Sequence, residues 1–166
     1  MARLFMMTVL LVAGSAYAAE PVAADRDFYV KASAGGRAEV ETGALAQVKG
    51  HSAAVRDFGA MMVRDHTKAN DKLKLIAGRK NIELPTEPDA KHKAKKQELE
   101  AASGPAFDSA YIQAQVADHE ATESLLKQEI ESGSDAEAKA WAREALPTVT
   151  AHLERARGLA TGKTSP

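Results

Sequence analysis

The stretch DRDFYVKASAGGRAEVETGALAQVK, residues 25–49, decides the fold class of this chain. It contains no proline, and its small and apolar residues recur every three or four positions, which is the period of one face of an α-helix. These residues are Phe28, Ala32, Gly35, Gly43 and Ala46. Glu39 lies in the middle of the same face. The stretch therefore predicts a helix of about seven turns whose inner face carries one carboxylate.

Three further segments repeat this period and predict long helices at residues 52–80, 105–132 and 134–159. Ser52 is a suitable N-cap for the first of them, and the Ser134 to Glu137 spacing has the pattern of a capping box for the last. The turns within each pair of helices are short, so the partners are expected to pack antiparallel.

The connection between the second and third long helices is different. Two prolines exclude regular helix at residues 84–88, and the charged residues 89–102 predict a short surface helix. The predicted fold is therefore all-α: an antiparallel four-helix bundle with a long crossover that contains a short extra helix. This is the connectivity of ferritin-like folds.

The overall composition excludes several classes of function. The chain has 166 residues, 22 Lys and Arg against 23 Asp and Glu, and no cysteine. A net charge of −1 provides no excess of positive charge for binding nucleic acid. The absence of cysteine excludes disulfides, thiolate metal sites and cysteine nucleophiles. One domain of ordinary size is expected.

The first residues have the pattern of a secretory signal peptide. Arg3 precedes an apolar run at residues 4–13, and a small-x-small cleavage site follows at residues 16–18. We expect cleavage after about residue 18, a domain at 19–162, and a periplasmic or secreted protein. The apolar run is shorter than the roughly twenty residues of a membrane span, so no membrane insertion is expected after cleavage.

Each predicted long helix places an ionisable residue at the centre of its apolar face and near its middle. These residues are Glu39, His66, His119 and His152, and Glu123 follows His119 by one turn. Buried polar groups are costly unless they are paired, so this set either binds a metal ion or forms a hydrogen-bonded network. Imidazole and carboxylate ligands suit Zn, Fe, Cu or Mn, rather than Ca or Mg.

The motif of a dinuclear ferroxidase is not present. Such a site requires Glu-x-x-His on two helices, whereas the residues three before the central histidines are Val63, Val116 and Val149. Asp65 points about 100° away from its neighbour His66, which favours a rim residue or an outer hydrogen-bond acceptor over a ligand. No nucleophile constellation is visible either, so no catalytic residue is predicted.

Two segments resemble a known family. Met-Val-Arg-Asp-His-Thr-Lys-Ala-Asn at 62–70 and Phe-Asp-Ser-Ala-Tyr-Ile at 107–112 are similar to the family called domain of unknown function 4142. The resemblance extends from about residue 25 to residue 159. It implies a ferritin-like fold in an exported bacterial protein, and it implies no established activity.

Two functions remain open from the sequence. The first is a binding or envelope-stress role in which one transition-metal ion is held in the bundle core. The alternative is a metal-free structural or protein-interaction module with a protein partner in the cell envelope. An enzyme is a third and weaker alternative, and the sequence predicts neither the oligomeric state nor the identity of a partner.

Overall fold

The computed structural model describes residues 23–162, which form five α-helices and no strand. The helices are α1 (Ala23–Lys49), α2 (Ala53–Arg79), α3 (Ala90–Ala101), α4 (Gly104–Ser132) and α5 (Ala136–Ala160). The all-α prediction is confirmed for this part of the chain. Among these helices, none has both the length and the apolar character that crossing a membrane requires. The predicted signal peptide lies outside the described residues.

Local signals explain where the helices begin and end. The Ser52 hydroxyl accepts a hydrogen bond from the Val55 N–H at 3.3 Å and caps α2. Asn81 follows α2 with a φ of +52°, a left-handed conformation that Asn tolerates better than most residues. Pro105 lies in the first turn of α4, where its missing N–H has no helical partner to lose.

The predicted cap of α5 is wrong by one residue. Asp135, not Ser134, is the N-cap, and its carboxylate accepts hydrogen bonds from the Glu137 and Ala138 N–H groups. The Ser134 N–H instead donates to Asp25 at 2.8 Å, so Ser134 belongs to the turn before the helix. A carboxylate also suits the positive end of the helix dipole, which favours Asp over Ser at this cap.

The helices pack in pairs. α1 lies along α2 and α4 along α5, while α1 also contacts α4 and α2 contacts α5. The Asp108 side chain at the start of α4 accepts from the His51 N–H, next to the end of α1, at 2.7 Å. Arg79 at the end of α2 pairs with Glu137 at the start of α5. Each neighbouring pair of long helices is therefore antiparallel, and α2 and α4 run in the same direction.

The apolar core is divided into two clusters. One contains Phe28, Leu73, Leu126 and Trp141, and the other contains Phe58, Met62, Phe107 and Tyr111. Along α2, His66 lies between Met62 of one cluster and Leu73 of the other. His119 and His152 lie between members of the two clusters in the same way on their own helices. The three histidines thus form a polar layer within the bundle.

Candidate metal centre

Three histidines from three helices meet in this layer. His66 on α2, His119 on α4 and His152 on α5 are 9%, 1% and 3% exposed. Their ring centroids are 5.6 Å apart for His66 and His119, 5.5 Å for His66 and His152, and 5.4 Å for His119 and His152. The rings therefore form a nearly equilateral triangle, which we call the histidine cluster.

Each ring of the histidine cluster has one buried nitrogen without a hydrogen-bond partner within residues 23–162, which we call its inner nitrogen. One potential ligand nitrogen from each ring lies within 4.8 Å of those of the other two. His66 Nε2, His119 Nε2 and His152 Nδ1 are buried and have no hydrogen-bond partner within residues 23–162. Each ring thus offers one buried nitrogen that is available for another bond.

Hydrogen bonds on the other side of two rings determine where their protons lie. His119 Nδ1 is 2.9 Å from the backbone oxygen of Gln115, and His152 Nε2 is 3.0 Å from the Asp65 carboxylate. A carbonyl or carboxylate oxygen accepts but does not donate, so His119 Nδ1 and His152 Nε2 carry the proton. The lone pair of each neutral ring then lies on the unpaired nitrogen. A histidine that binds a metal is usually oriented by an outer acceptor in this way.

Burial keeps the histidine cluster neutral. It lowers the pKa of His66 to about 3, with smaller contributions from the neighbouring rings of His119 and His152. The pKa values of His119 and His152 are also lowered, in both cases mainly by burial. Neutral imidazole is the form that binds metals, so the rings do not need to lose a proton near neutral pH.

Glu39 lies beside the histidine cluster on α1. Its Oε2 accepts a hydrogen bond from Gln115 Nε2 at 2.6 Å, and its Oε1 is 3.8 Å from His119 Nδ1. Burial raises the pKa of Glu39 to about 7, and the Gln115 hydrogen bond partly opposes that rise. Glu39 therefore contacts the outer side of His119 rather than the inner nitrogens.

The comparisons with known proteins identify a family. The chain matches the family described as Domain of unknown function (DUF4142) over residues 11–159. This chain belongs to the DUF4142 family. Comparisons with curated proteins and with solved structures gave no match.

One of the residues predicted for this DUF4142 site lies elsewhere. Glu123 accepts a hydrogen bond from Thr150 at 3.1 Å and pairs with Lys127, also at 3.1 Å. It is one turn from His119 along α4, yet its side chain is partly exposed and it is not part of the histidine cluster. The structure thus brings His66, His119 and His152 together, puts Glu39 beside them and leaves Glu123 outside.

Sequence reasoning missed Gln115 in this DUF4142 domain. Gln115 is 2% exposed, holds Glu39 through its side chain and supplies the carbonyl that orients His119. Its position one turn before His119 on the same helical face was the available signal. Asp65, which the sequence favoured as a rim residue or an outer acceptor, contacts His152 Nε2.

Three neutral imidazoles in this DUF4142 domain form a suitable ligand set for a transition-metal ion. Zn is bound by imidazole nitrogens at about 2.0–2.1 Å, which would bring tetrahedral ligands to roughly 3.4 Å from each other. Small side-chain rotations would close the remaining gap from 4.8 Å. Three such ligands leave a fourth position for another donor, as in metal sites that interact with small molecules.

Proposed function

We propose that this protein binds one transition-metal ion through His66 Nε2, His119 Nε2 and His152 Nδ1. The observation that carries the proposal is that one ring nitrogen of each histidine lies within 4.8 Å of those of the other two, and that each ring has one buried nitrogen without a partner within residues 23–162. Zn, Cu, Fe and Mn are the candidate ions, because imidazole suits them better than it suits Ca or Mg. Asp65 and the Gln115 carbonyl are the outer acceptors that orient two of the rings.

A metal explains these nitrogens better than a network of protein hydrogen bonds does. Each buried acceptor without a partner costs about 1–3 kcal/mol. A protein network would have to bring a donor to His119 Nε2 and to His152 Nδ1 and a hydrogen-bond partner to His66 Nε2, and the described part of the chain supplies none of these. A single cation would interact favourably with all three lone pairs at once.

We further propose that the bundle is ferritin-like and that residues 80–103 form its long crossover. The parallel directions of α2 and α4 support this, because a chain that joins two parallel helices must return along the length of the bundle. The position of α3 within that connection is consistent with the proposal. A crystal structure superposed on ferritin-like proteins would test it.

Export to the periplasm, or secretion, is also a proposal. Its support is the signal-peptide pattern of residues 1–18. Expression of the full chain in a bacterium, followed by fractionation and N-terminal sequencing, tests it. An uncleaved chain that remains in the cytoplasm would contradict it.

Metal analysis of protein purified without chelator is the direct test of the metal site. We expect close to one equivalent of a transition metal, or uptake of one equivalent when the chelator-treated protein is titrated with Zn, Cu, Fe or Mn. His119→Ala should lose this stoichiometric binding. His51→Ala is the matched control, because His51 is exposed in the turn between α1 and α2.

Less than about a tenth of an equivalent after both procedures would overturn the proposal. A His119→Ala variant that is less stable but has the same metal content as wild type would also overturn it. Either result would favour the metal-free alternative, a structural or interaction module of the envelope.

A further inference from the structure

A cavity of about 410 Å³ lies next to the histidine cluster. Its lining includes buried His66 and His152 as well as exposed Lys31 and Lys68, so it extends from the surface to the cluster. All four long helices contribute to it. Its size is within the range of pockets that hold small organic molecules, roughly 300–1,000 Å³.

The greater part of the cavity wall is apolar. Leu125 and Leu126 on α4 and Trp141 and Val149 on α5 are among the apolar lining residues. Gly35 on α1 also lines the cavity, and a Cβ added there would meet no atom within 4 Å. The absence of a side chain at Gly35 therefore leaves open space beside an apolar surface.

The charged groups of the lining leave one cation unpaired. Lys31 pairs with Asp27 and Lys72 pairs with Glu144. Asp65 is held by Arg64 and His152, and the Glu39 carboxyl accepts a hydrogen bond from Gln115. Lys68 forms no ion pair or hydrogen bond with any residue in the 23–162 range. An exposed ammonium at the rim of an apolar cavity is suited to an anionic group on an otherwise apolar molecule.

We propose that this cavity binds a small monoanion with an apolar body, of the class of medium-chain carboxylates. The carboxylate lies at Lys68 and the chain lies against Leu126, Trp141 and Val149. The proposal does not depend on a bound metal, so it is tested on metal-free protein. Failure of this test would leave the proposed metal site unaffected, and failure of the metal site would leave this proposal unaffected.

Trp141 provides the measurement, because it lines the cavity and is the single tryptophan of the chain. Protein freed of metal with EDTA and dialysed is titrated with octanoate, 1-octanol and octylammonium, and tryptophan fluorescence is recorded. We expect saturable binding of octanoate with a Kd at least three times lower than that of either comparator. Equal or tighter binding of 1-octanol or octylammonium would overturn the proposal that the ligand is a monoanion.

Two pairs of variants locate the site. Gly35→Leu should fill the cavity and raise the octanoate Kd at least tenfold, whereas Gly78→Leu, on an exposed part of α2, should bind like wild type. Lys68→Gln should reduce octanoate binding to the level of 1-octanol. Lys74→Gln is its control, since Lys74 is exposed on the same helix and does not line the cavity.

Circular dichroism and thermal melting are used to check that each variant is folded. If Gly35→Leu is not folded, Thr148→Leu replaces it, because Thr148 is an exposed residue of the same lining. Octanoate binding that is not saturable, or that a folded cavity-filling variant leaves unchanged, would overturn the proposal.

Discussion

At the scale of single residues, the outer contacts of the histidine cluster decide its chemistry. The Asp65 carboxylate and the Gln115 carbonyl each hold one ring nitrogen, which leaves the opposite nitrogen as the acceptor. Without these contacts the rings would be free to rotate or to exchange tautomers. The ligand set therefore depends on residues that do not themselves face the centre.

Asp65→Ala should weaken metal binding by about 10–100-fold, because His152 loses the acceptor that fixes its orientation and tautomer. Competition with a chromogenic chelator measures this change in Kd. Asp71→Ala is the control, since Asp71 is exposed on the same helix and belongs neither to the histidine cluster nor to the lining of the adjoining cavity. Equal affinity in wild type and Asp65→Ala would contradict this role of Asp65.

A second buried polar group makes stability depend on pH. Burial raises the pKa of Glu129 to about 7, and the carboxylates of Asp25 and Asp135 add to the rise, while Lys139 opposes it. The folded state therefore keeps a proton on Glu129 that the unfolded chain loses near its ordinary pKa of 4.5. The stability contributed by this proton is complete below about pH 4.5 and is lost as the pH rises through 7.

Glu129→Gln should remove this loss, because glutamine stays neutral at all pH values. We expect the melting temperature of the variant, relative to wild type, to increase between pH 5 and pH 8. Glu131→Gln removes the same charge from an exposed position on α4 and is the control. A difference from wild type that does not change with pH would show that Glu129 is not the titrating group.

At the scale of the helices, the contact between α1 and α2 depends on two glycines. A Cβ at Gly59 would lie 2.6 Å from the Gly43 carbonyl oxygen, and a Cβ at Gly43 would lie 2.9 Å from the Gly59 carbonyl oxygen. Both distances are shorter than a Cβ tolerates, and the opposing atoms are backbone. The two helices therefore approach each other more closely than helices with side chains at these positions could.

Gly59→Ala should destabilise the protein by about 1–3 kcal/mol, because the added methyl group forces α1 and α2 apart. Urea denaturation followed by circular dichroism measures the free energy of unfolding. Gly78→Ala has open space around it and should instead stabilise α2 by about 0.5–1 kcal/mol. If both variants were stabilised, the close contact would be contradicted.

At the scale of the whole molecule, the histidine cluster joins three of the four long helices. A ligand shared by α2, α4 and α5 binds only when those helices are packed, so it favours the folded state. The same layer lies between the two apolar clusters, and the cavity lined by His66 and His152 connects it to the surface. Binding at this site and folding of the bundle should therefore be coupled.

Zn added at a free concentration one hundred times its Kd should stabilise the protein by about 2.7 kcal/mol and raise its melting temperature. Thermal melts of EDTA-treated protein with and without Zn measure this effect. His119→Ala should show no such increase. An equal increase in His119→Ala would indicate binding elsewhere on the protein and would contradict the coupling.

Much of the fold could be predicted because the signals for it are local. The period of the apolar residues and the Ser52 cap depend on neighbours within a few positions of the chain. The same period predicted that His66, His119 and His152 lie on inner helical faces, each near the middle of its helix. These features follow from the sequence because, in an α-helix, the spacing between two residues along the chain determines whether their side chains point to the same face.

What sequence could not predict depends on contacts between distant residues. Glu123 shares a helical face with His119, but its long side chain reaches Thr150 and Lys127 at the edge of the bundle, where a carboxylate stays hydrated. Asp135, not Ser134, caps α5, and the Ser134 N–H bonds instead to Asp25, a residue on another helix. The choice of inner nitrogen on His152 likewise depends on Asp65, which only tertiary packing brings within 3.0 Å. Spacing along the chain thus determines which residues face inward, while packing between helices decides which of their atoms meet.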